Sequence, residues 1–438
     1  MATSSQTQTA FRDPAFLANR DIPIHRWVPW IAGFSQQFIE DALSTYTKGL
    51  YGAVLDPFAG VGTTLVEADL AGHSAVGFEI NPYAAFAAQL KLSAYRLPVK
   101  ALRSVIDDLS NHALTAEANG TMPTSIPPPG FRTRSPFYSP EVERKVLLLM
   151  DFVSRQTDTQ IVDALRLAFA ATMVEYSNYS YEPSLGRRTA VGRAEIKDHP
   201  VALCVARKLT HMLEDAQWYR QHRVRGDRPD GRVHVQSFFD SYKQIEAQSI
   251  DLIVTSPPYA NNYHYNRNTR PHLYWLGFCD APEDLKQLEE QNFGTYWQRA
   301  RELQHVALDP IITDLDITHT LDKIRCQNTD RGIYGGEGWA NYITTYLNDC
   351  VRFMAGVKWC LRPGATALVV IGNSIVQGVH VPTDRFLAKI ALYHDLEIVG
   401  IHTPRPTRVG NSITNSSVRR GTAGRTKLYE SVVEIRQP

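Results

Sequence analysis

The chain has no long apolar run, no Cys-x-x-Cys pair and no excess of charge of either sign. The first absence excludes a membrane-spanning helix, which needs about 20 consecutive apolar residues. The second argues against a structural zinc site and a disulfide framework, because the five cysteines (Cys204, Cys279, Cys326, Cys350, Cys360) are scattered. The third removes any global basic signal: 46 Lys plus Arg stand against 45 Asp plus Glu, for a net charge of +1. A nucleic-acid footprint on this protein must therefore be local. The N-terminus is polar Ser/Thr/Gln and does not read as a signal peptide, so residues 1–9 are expected to be a loose tail and the compartment cytoplasmic. No metal site is expected.

What is present is an ordinary globular composition, 43% hydrophobic and 21% charged over 438 residues. That is room for two or three domains or one enlarged one. The most informative stretch is Asp251-Leu252-Ile253-Val254-Thr255-Ser256-Pro257-Pro258-Tyr259. Its first half reads as a buried strand. Two prolines then stop the ladder, since each lacks an N–H and fixes φ. Ser256 to Tyr259 becomes a stiff loop at a strand's carboxyl end, where open α/β sheets place their ligands. The loop offers a hydroxyl (Ser256), a carbonyl free of the sheet (Pro257) and an aromatic ring (Tyr259). Those groups suit a planar heterocycle bearing an amine. A plain Pro-Pro turn would read the same on these residues alone.

A second stretch adds to it. Ala53-Val54-Leu55 reads as a strand running into Asp56-Pro57-Phe58-Ala59-Gly60-Val61-Gly62-Thr63-Thr64, with a helix expected over Leu65 to Ala71. A glycine-bearing turn between strand and helix lets backbone approach a ligand and aims a helix N-terminus at it. The next strand, Ser74 to Phe78, ends at Glu79-Ile80-Asn81, with the acid placed for both ribose hydroxyls of an adenosine. The nicotinamide fingerprint Gly-x-Gly-x-x-Gly is missing. S-adenosylmethionine is the alternative adenosine cofactor, and a carboxylate near the first turn (Asp56) can meet its cationic end.

Between these stretches the strand–helix alternation stops. Thr121 to Pro140 reads as a Pro/Ser/Thr-rich loop, while Glu141 to Phe152 and Gln160 to Met173 are amphipathic helix patterns. Gly186 to Arg232 carries eleven Arg and Lys residues, which suit either phosphate contact or a solvated helix face. A strand is expected over Val233 to Phe238, ending at Phe239-Asp240. Asp240 could accept from an adenine amine or cap the next helix. Asn266 to Arg270 reads as too polar for core. Asp280 to Tyr334 is a smaller insertion, Trp339 to Leu361 a long helix, and Ala365 to Gly372 a buried strand. Asp384 to Tyr393 reads as a helix, and Glu397 to His402 and Tyr429 to Ile435 as closing strands. The loop between them carries Arg405, Arg408, Arg419, Arg420 and Arg425 among glycines and small hydroxyls, a mixture that fits backbone-phosphate contact.

Together the two motifs resemble the DNA amino-methyltransferases, which methylate cytosine N4 or adenine N6, in the Ser-Pro-Pro-Tyr form. The resemblance implies a Rossmann-like α/β fold that uses S-adenosylmethionine, with a mainly helical insertion and a second smaller one. Residues 1–97 would hold the cofactor half, 98–232 the helical insertion and possible target-recognition region, and 233–438 the catalytic half with a small insertion at about 280–334. It implies a cofactor site of Trp30, Asp56, Pro57, Phe58, Ala59, Gly60, Gly62, Thr63, Thr64, Glu79, Ile80, Asn81, Asp240 and Ser256. Ser256, Pro257, Pro258 and Tyr259 would form the catalytic loop. The resemblance covers roughly 21–97, 233–278 and 339–438. Many members with this catalytic motif have the halves in the opposite order. Serine at position 256, where adenine-modifying members usually carry Asp or Asn, implies cytosine N4 in duplex DNA, reached by base flipping. No cysteine follows a proline, as it does in cytosine-C5 enzymes. A restriction enzyme could accompany the activity. An RNA amino-methyltransferase and a non-catalytic nucleic-acid-binding module on the same core are the rival readings.

Overall fold

The structure, a computed structural model, describes residues 11–12, 14, 16–30, 33, 35–47, 51–181, 185–224, 229–260, 265–407 and 427–438. Its centre is a seven-stranded sheet: β1 (Ala53–Asp56), β2 (Ser74–Phe78), β3 (Arg232–His234), β4 (Ile250–Thr255), β5 (Leu361–Gly372), β6 (Glu397–Arg405) and β7 (Glu430–Arg436). The spatial order is β3-β2-β1-β4-β5-β7-β6. The five strands from β3 to β5 pair in parallel, and β7 runs antiparallel between β5 and β6. This is the Rossmann-like order 3-2-1-4-5 with a reversed strand inserted at one side.

The central strands β1, β4 and β5 are apolar on both faces over most of their length, as a sheet covered by helices on both sides requires. Side chains alternate between the two cores with the period of two that a strand imposes. Leu55, Ile253, Ala367, Val369, Ile371 and Val433 lie in one cluster. Val54, Leu252, Val254, Leu368, Val370 and Val432 lie in the other. Helix α1 (Gln36–Tyr46) covers the second face through Phe38, Ile39 and Leu43, and α2 (Thr63–Leu70) adds Leu65 and Ala68.

A third core belongs to the helical insertion. Helices α4 (Val99–Ala118), α5 (Pro140–Ser154), α6 (Thr159–Thr172) and α7 (Val201–His222) pack with α3 (Pro82–Leu92) and α8 (Tyr265–Trp275) in one cluster. The sequence pattern predicts no element over α4. Its buried residues, Leu102, Leu109 and Ala116, recur only every seventh position, with Val99, Val105 and Ile106 partly buried beside them, which makes a thin apolar stripe. On the first sheet face lie the long α9 (Gly336–Cys360) and α10 (Thr383–Leu392).

Three expectations are corrected. The strand predicted over 233–238 is only Arg232–His234, and Phe238–Ser241 is a helical turn with Ser237 at its N-terminal boundary. Helix α2 begins at Thr63 rather than Leu65, because Gly62 with φ 82° is its N-terminal cap. Asn266, Asn268 and Thr269, expected to be too polar for core, are buried on α8. Asn266 Oδ1 and Thr269 Oγ1 accept from Asn81, and Asn268 Oδ1 from the Leu185 N–H, while Asn266 Nδ2 has no partner among the described residues.

Candidate active site

Strands β1, β2 and β3 lie on one side of a reversal in strand order, and β4 and β5 on the other. Leu55 of β1 pairs with Ile253 of β4 across that reversal. The loops leaving the carboxyl ends of β1, β2 and β4 therefore open onto one crevice, the position where parallel sheets bind ligands. These loops begin at Pro57, Glu79 and Ser256, so the fold brings together the two motifs that the sequence keeps far apart.

The first loop is shaped by its glycines. Gly60 has φ 51° and Gly62 φ 82°, a region L side chains rarely occupy. A Cβ at Gly62 would stand 2.8 Å from Ala88 Cβ, so this glycine lets α2 sit against α3. A Cβ at Gly60 would stand 3.2 Å from the Trp30 indole nitrogen, which places Trp30 beside the turn. Thr63 and Thr64 are buried at the start of α2, and Thr64 donates to the Val254 carbonyl at 3.4 Å. Pro57 is buried, and Phe58 packs edge-on against Phe239, Phe293 and Phe353. The Ala59 N–H donates to the Phe78 carbonyl at 2.9 Å.

Glu79 holds this loop from the side. Its carboxylate accepts from the Gly60 N–H at 2.9 Å and from the Asn81 N–H at 2.7 Å. Loss of solvent pushes its pKa up to about 7, with a further push from the nearby Asp56 anion and an opposing pull from those backbone donors. Asp56 is 1% exposed. One of its oxygens accepts from the Thr255 hydroxyl at 2.6 Å and the Phe58 N–H at 3.1 Å. Burial raises its pKa to about 6. Ile80 is half-buried, and Asn81 caps α3 by accepting from Tyr83 and Ala84 N–H groups. Asn81 also donates to Thr269 Oγ1 at 2.7 Å and Asn266 Oδ1 at 3.3 Å, which ties the cofactor side to α8.

The Ser256–Tyr259 loop follows β4 directly. Ser256 and Pro258 are half-buried and Pro257 is buried. Among the described residues, neither the Ser256 hydroxyl nor the Pro257 carbonyl makes a hydrogen bond. Tyr259 donates its hydroxyl to Glu430 at 3.3 Å. Glu430 also accepts from Arg405 at 3.2 Å.

The remaining expected residues lie differently. Asp240 sits on the helical turn after β3, with its side chain 71% exposed and paired to Arg352 at 3.0 Å. The Arg405 guanidinium is on Glu430, so a phosphate would compete with a carboxylate for it. Arg408, Arg419, Arg420 and Arg425 lie outside the described residues. In the basic stretch, much of the charge is engaged inside the protein. Arg223 pairs with buried Asp69 at 2.6 Å, Lys208 donates to the Arg26 carbonyl at 3.1 Å, and Arg207 pairs with Glu175 at 3.1 Å. Glu175, His199 and Cys204 bring ligand-type atoms within 4.8 Å of one another, but the Arg207 cation already contacts Glu175 and Cys204 there.

Sequence reasoning misses two contributors. Lys91 is fully buried and donates its ammonium to the Val61 carbonyl, between the two turn glycines, at 3.1 Å. Its signal is one lysine in the run Ala84 to Leu92, whose other polar residue is Gln89 and whose remaining positions are apolar. Glu430 has no such signal, because its contact with Tyr259 is created by the strand order.

The arrangement can hold an adenosine on the β1–β2 side and present two hydrogen-bond acceptors and a ring on the β4 side. A family model described as DNA methylase matches residues 28–89. The Type II methyltransferase M.BsoBI of Geobacillus stearothermophilus is 21% identical over 465 residues, which cover 97% of this chain and 87% of that protein. The Type II methyltransferase M.AvaI of Nostoc sp. is 22% identical over 441 residues, covering 97% and 88%. The Type II methyltransferase M.MvaI of Kocuria varians is 23% identical over 371 residues, covering 82% and 78%. The motif resemblance stops at the two insertions, yet the first two alignments run across nearly the whole chain.

Proposed function

The chain belongs to the DNA amino-methyltransferases, and from that premise we propose that it methylates the N4 amine of cytosine within a specific duplex DNA sequence. Its methyl donor is S-adenosylmethionine, which supplies an electrophilic methyl group on a sulfonium. The residues present fit that group. Glu79 stands at the end of β2 with a carboxylate at the crevice, where it would hold the ribose hydroxyls. The left-handed turn at Gly60, with Trp30 beside it, would take the methionine end. Asp56 would contribute negative charge from beneath, while its hydrogen bonds to Thr255 and Phe58 keep it in place.

The observation that carries the reading is the pair of unengaged acceptors, the Ser256 hydroxyl and the Pro257 carbonyl. A cytosine amine is a poor nucleophile because its lone pair is delocalised into the ring. Two acceptors that each take one amine hydrogen favour a pyramidal nitrogen and turn its lone pair outward. They act as fixed dipoles aimed at developing charge, together with positioning. Tyr259, held through its hydroxyl by Glu430, supplies a ring for the flipped base. Cytosine rather than adenine rests on the neutral serine at 256. Because the relatives are Type II methyltransferases by name, a cognate restriction enzyme and action in the cytoplasm belong to the same proposal.

Incubation of duplex DNA of mixed sequence with labelled cofactor, followed by nucleoside mass spectrometry, tests it. N4-methylcytosine is expected. N6-methyladenine as the sole product would overturn the base assignment and leave the family intact. Modification of structured RNA in preference to duplex DNA would overturn the substrate.

A further inference from the structure

The chain as a whole is nearly neutral, but three of its segments are not. Residues 130–138, 178–193 and 265–272 together carry Arg132, Arg134, Arg187, Arg188, Arg193, Arg267 and Arg270, against Glu182 as their only carboxylate. The fold knits the three segments into one body. The Tyr179 hydroxyl donates to the Ser135 carbonyl at 3.2 Å, and the Asn178 N–H donates to the Phe137 carbonyl at 2.8 Å. The Leu185 N–H donates to Asn268 Oδ1 at 2.9 Å, and the Tyr181 hydroxyl to the Asn268 carbonyl at 3.4 Å. Arg270 lies over the rings of Phe131 and Tyr274 and donates to the Arg132 carbonyl at 2.8 Å.

Within this body the arginines divide. Arg270 and Arg188 donate hydrogen bonds to backbone carbonyls and hold the body together. Arg132, Arg134, Arg187 and Arg267 are exposed, and none of the four makes an ion pair among the described residues. Elsewhere the protein commits many of its arginines to carboxylates, as at Arg26, Arg223, Arg352 and Arg405. Four exposed cations without an ion pair among the described residues, on segments joined by hydrogen bonds and backed by aromatic rings, form a local basic footprint.

Its position gives the footprint a use. Helix α8, which carries Arg267 and the anchor Asn268, begins at Tyr265, shortly after Tyr259 closes the catalytic loop. The same helix holds Asn81, two residues past Glu79, through Thr269 and Asn266. A polyanion seated on the exposed arginines is therefore in register with both halves of the site through one helix. We propose that Arg132, Arg134, Arg187 and Arg267 form the surface that takes the phosphates of the duplex DNA substrate. The proposal rests on the DNA methyltransferase reading, and it moves the phosphate contacts from the Arg405 side to the helical insertion and α8. Phosphate contacts fix register without reading sequence, so this surface positions the duplex while base recognition lies with other groups.

The test is a salt titration of binding to duplex DNA, by fluorescence anisotropy, with the full chain and excess S-adenosylmethionine. Arg132→Ala with Arg134→Ala, Arg187→Ala, and Arg267→Ala are compared with Arg103→Ala and Arg155→Ala, two exposed arginines outside these segments. Removing one arginine–phosphate pair should lower the slope of log K against log salt by about 0.9. The weakening should be the same for target and unrelated duplexes, and the two control variants should match the wild type. Methyl transfer at saturating DNA and low salt should persist in every variant. An unchanged slope in all three test variants, with methylation intact, would overturn the surface and leave the enzyme reading standing. A loss confined to the target duplex would also overturn it, since it would mark the arginines as base readers. A wild-type chain that methylates no duplex DNA would instead sink the reading beneath the proposal. Slope changes seen with structured RNA and not with duplex DNA would replace the partner.

Discussion

The Thr255 hydroxyl donates to the Asp56 carboxylate at 2.6 Å, joining residues 199 positions apart in the chain. Thr255 is the last residue of β4 before the Ser256–Tyr259 loop, and Asp56 the last of β1 before the glycine turn. The bond fixes the start of one loop against the start of the other. Both residues are buried, so no water replaces either partner. Thr255→Val keeps the shape and removes the donor. It should lower unfolding free energy by about 1–3 kcal/mol, the cost of leaving a buried acceptor short of a partner. Thr255→Ser should retain most of the stability. Urea unfolding checks this, and equal midpoints for wild type and Thr255→Val would show the bond contributes nothing net.

As a proposed ribose-binding group, Glu79 should tie cofactor affinity to pH. Its pKa is raised to about 7 by burial, above the ordinary carboxylate value. Above that pH it is an anion that accepts from Gly60 and Asn81 and, in the proposed reading, would accept from the ribose hydroxyls; below it, one oxygen carries a proton and ceases to be a full acceptor. Affinity for S-adenosylmethionine should therefore be highest above about pH 7 and weaken as pH falls through it. Glu79→Gln should flatten that dependence. Glu79→Ala should weaken binding by about 1.5–3 kcal/mol, the range for hydrogen bonds to a charged group. Calorimetric titration on both sides of that pKa reads both effects, and affinity independent of pH in the wild type would remove the carboxylate from the binding step.

The catalytic loop separates turnover from binding. In the proposed mechanism Ser256→Ala removes an acceptor for the reacting amine, so turnover should fall far more than cofactor affinity. Tyr259→Ala should cost about 1–3 kcal/mol in capture of the flipped base, by analogy with base stacking on single strands. Tyr259→Phe keeps the ring and loses the bond to Glu430, so it should retain most of the capture and lose order in the loop. Base extrusion followed with a fluorescent base analogue distinguishes these. Equal effects of Tyr259→Phe and Tyr259→Ala would assign the role to the hydroxyl.

Motifs that depend on local chemistry are legible in the sequence. The Pro-Pro break after Thr255, the glycines at 60 and 62 and the acid closing β2 each impose a backbone consequence within a few residues. Features that depend on distant partners are not. Asp240 reads as the end of a strand because Val233 to Phe238 alternates well, but only Arg232–His234 finds a neighbour in β2. Asn266, Asn268 and Thr269 read as surface because their polarity is local information and their partners, Asn81 and Leu185, are not. The cations around α7 read as a solvated or phosphate-binding face, yet Asp69, Glu175 and the Arg26 carbonyl take three of them.

Lys91 offers a test on stability rather than on activity. Its ammonium is buried beneath the glycine turn, donates to the Val61 carbonyl, and has a pKa lowered to about 7 by burial, with a further push from Lys208. An unfolded lysine keeps its proton up to about pH 10.4. Between those values the unfolded chain binds more protons than the folded one, so stability should rise with pH across that window. Below about pH 7 both states are charged and the cost of the buried cation is present in full. Lys91→Met replaces the charge with an unbranched apolar chain of similar length, which the surrounding alanines and leucines can accept. It should remove this residue's share of the rise above about pH 7 and should raise stability most below it. The Val61 carbonyl loses its donor, so affinity for S-adenosylmethionine should fall as the turn loosens. Urea unfolding below, at and above that pKa gives the stability profile, and calorimetric titration gives the affinity. A parallel pH profile in wild type and Lys91→Met would mean that the lysine keeps an ordinary pKa inside the fold.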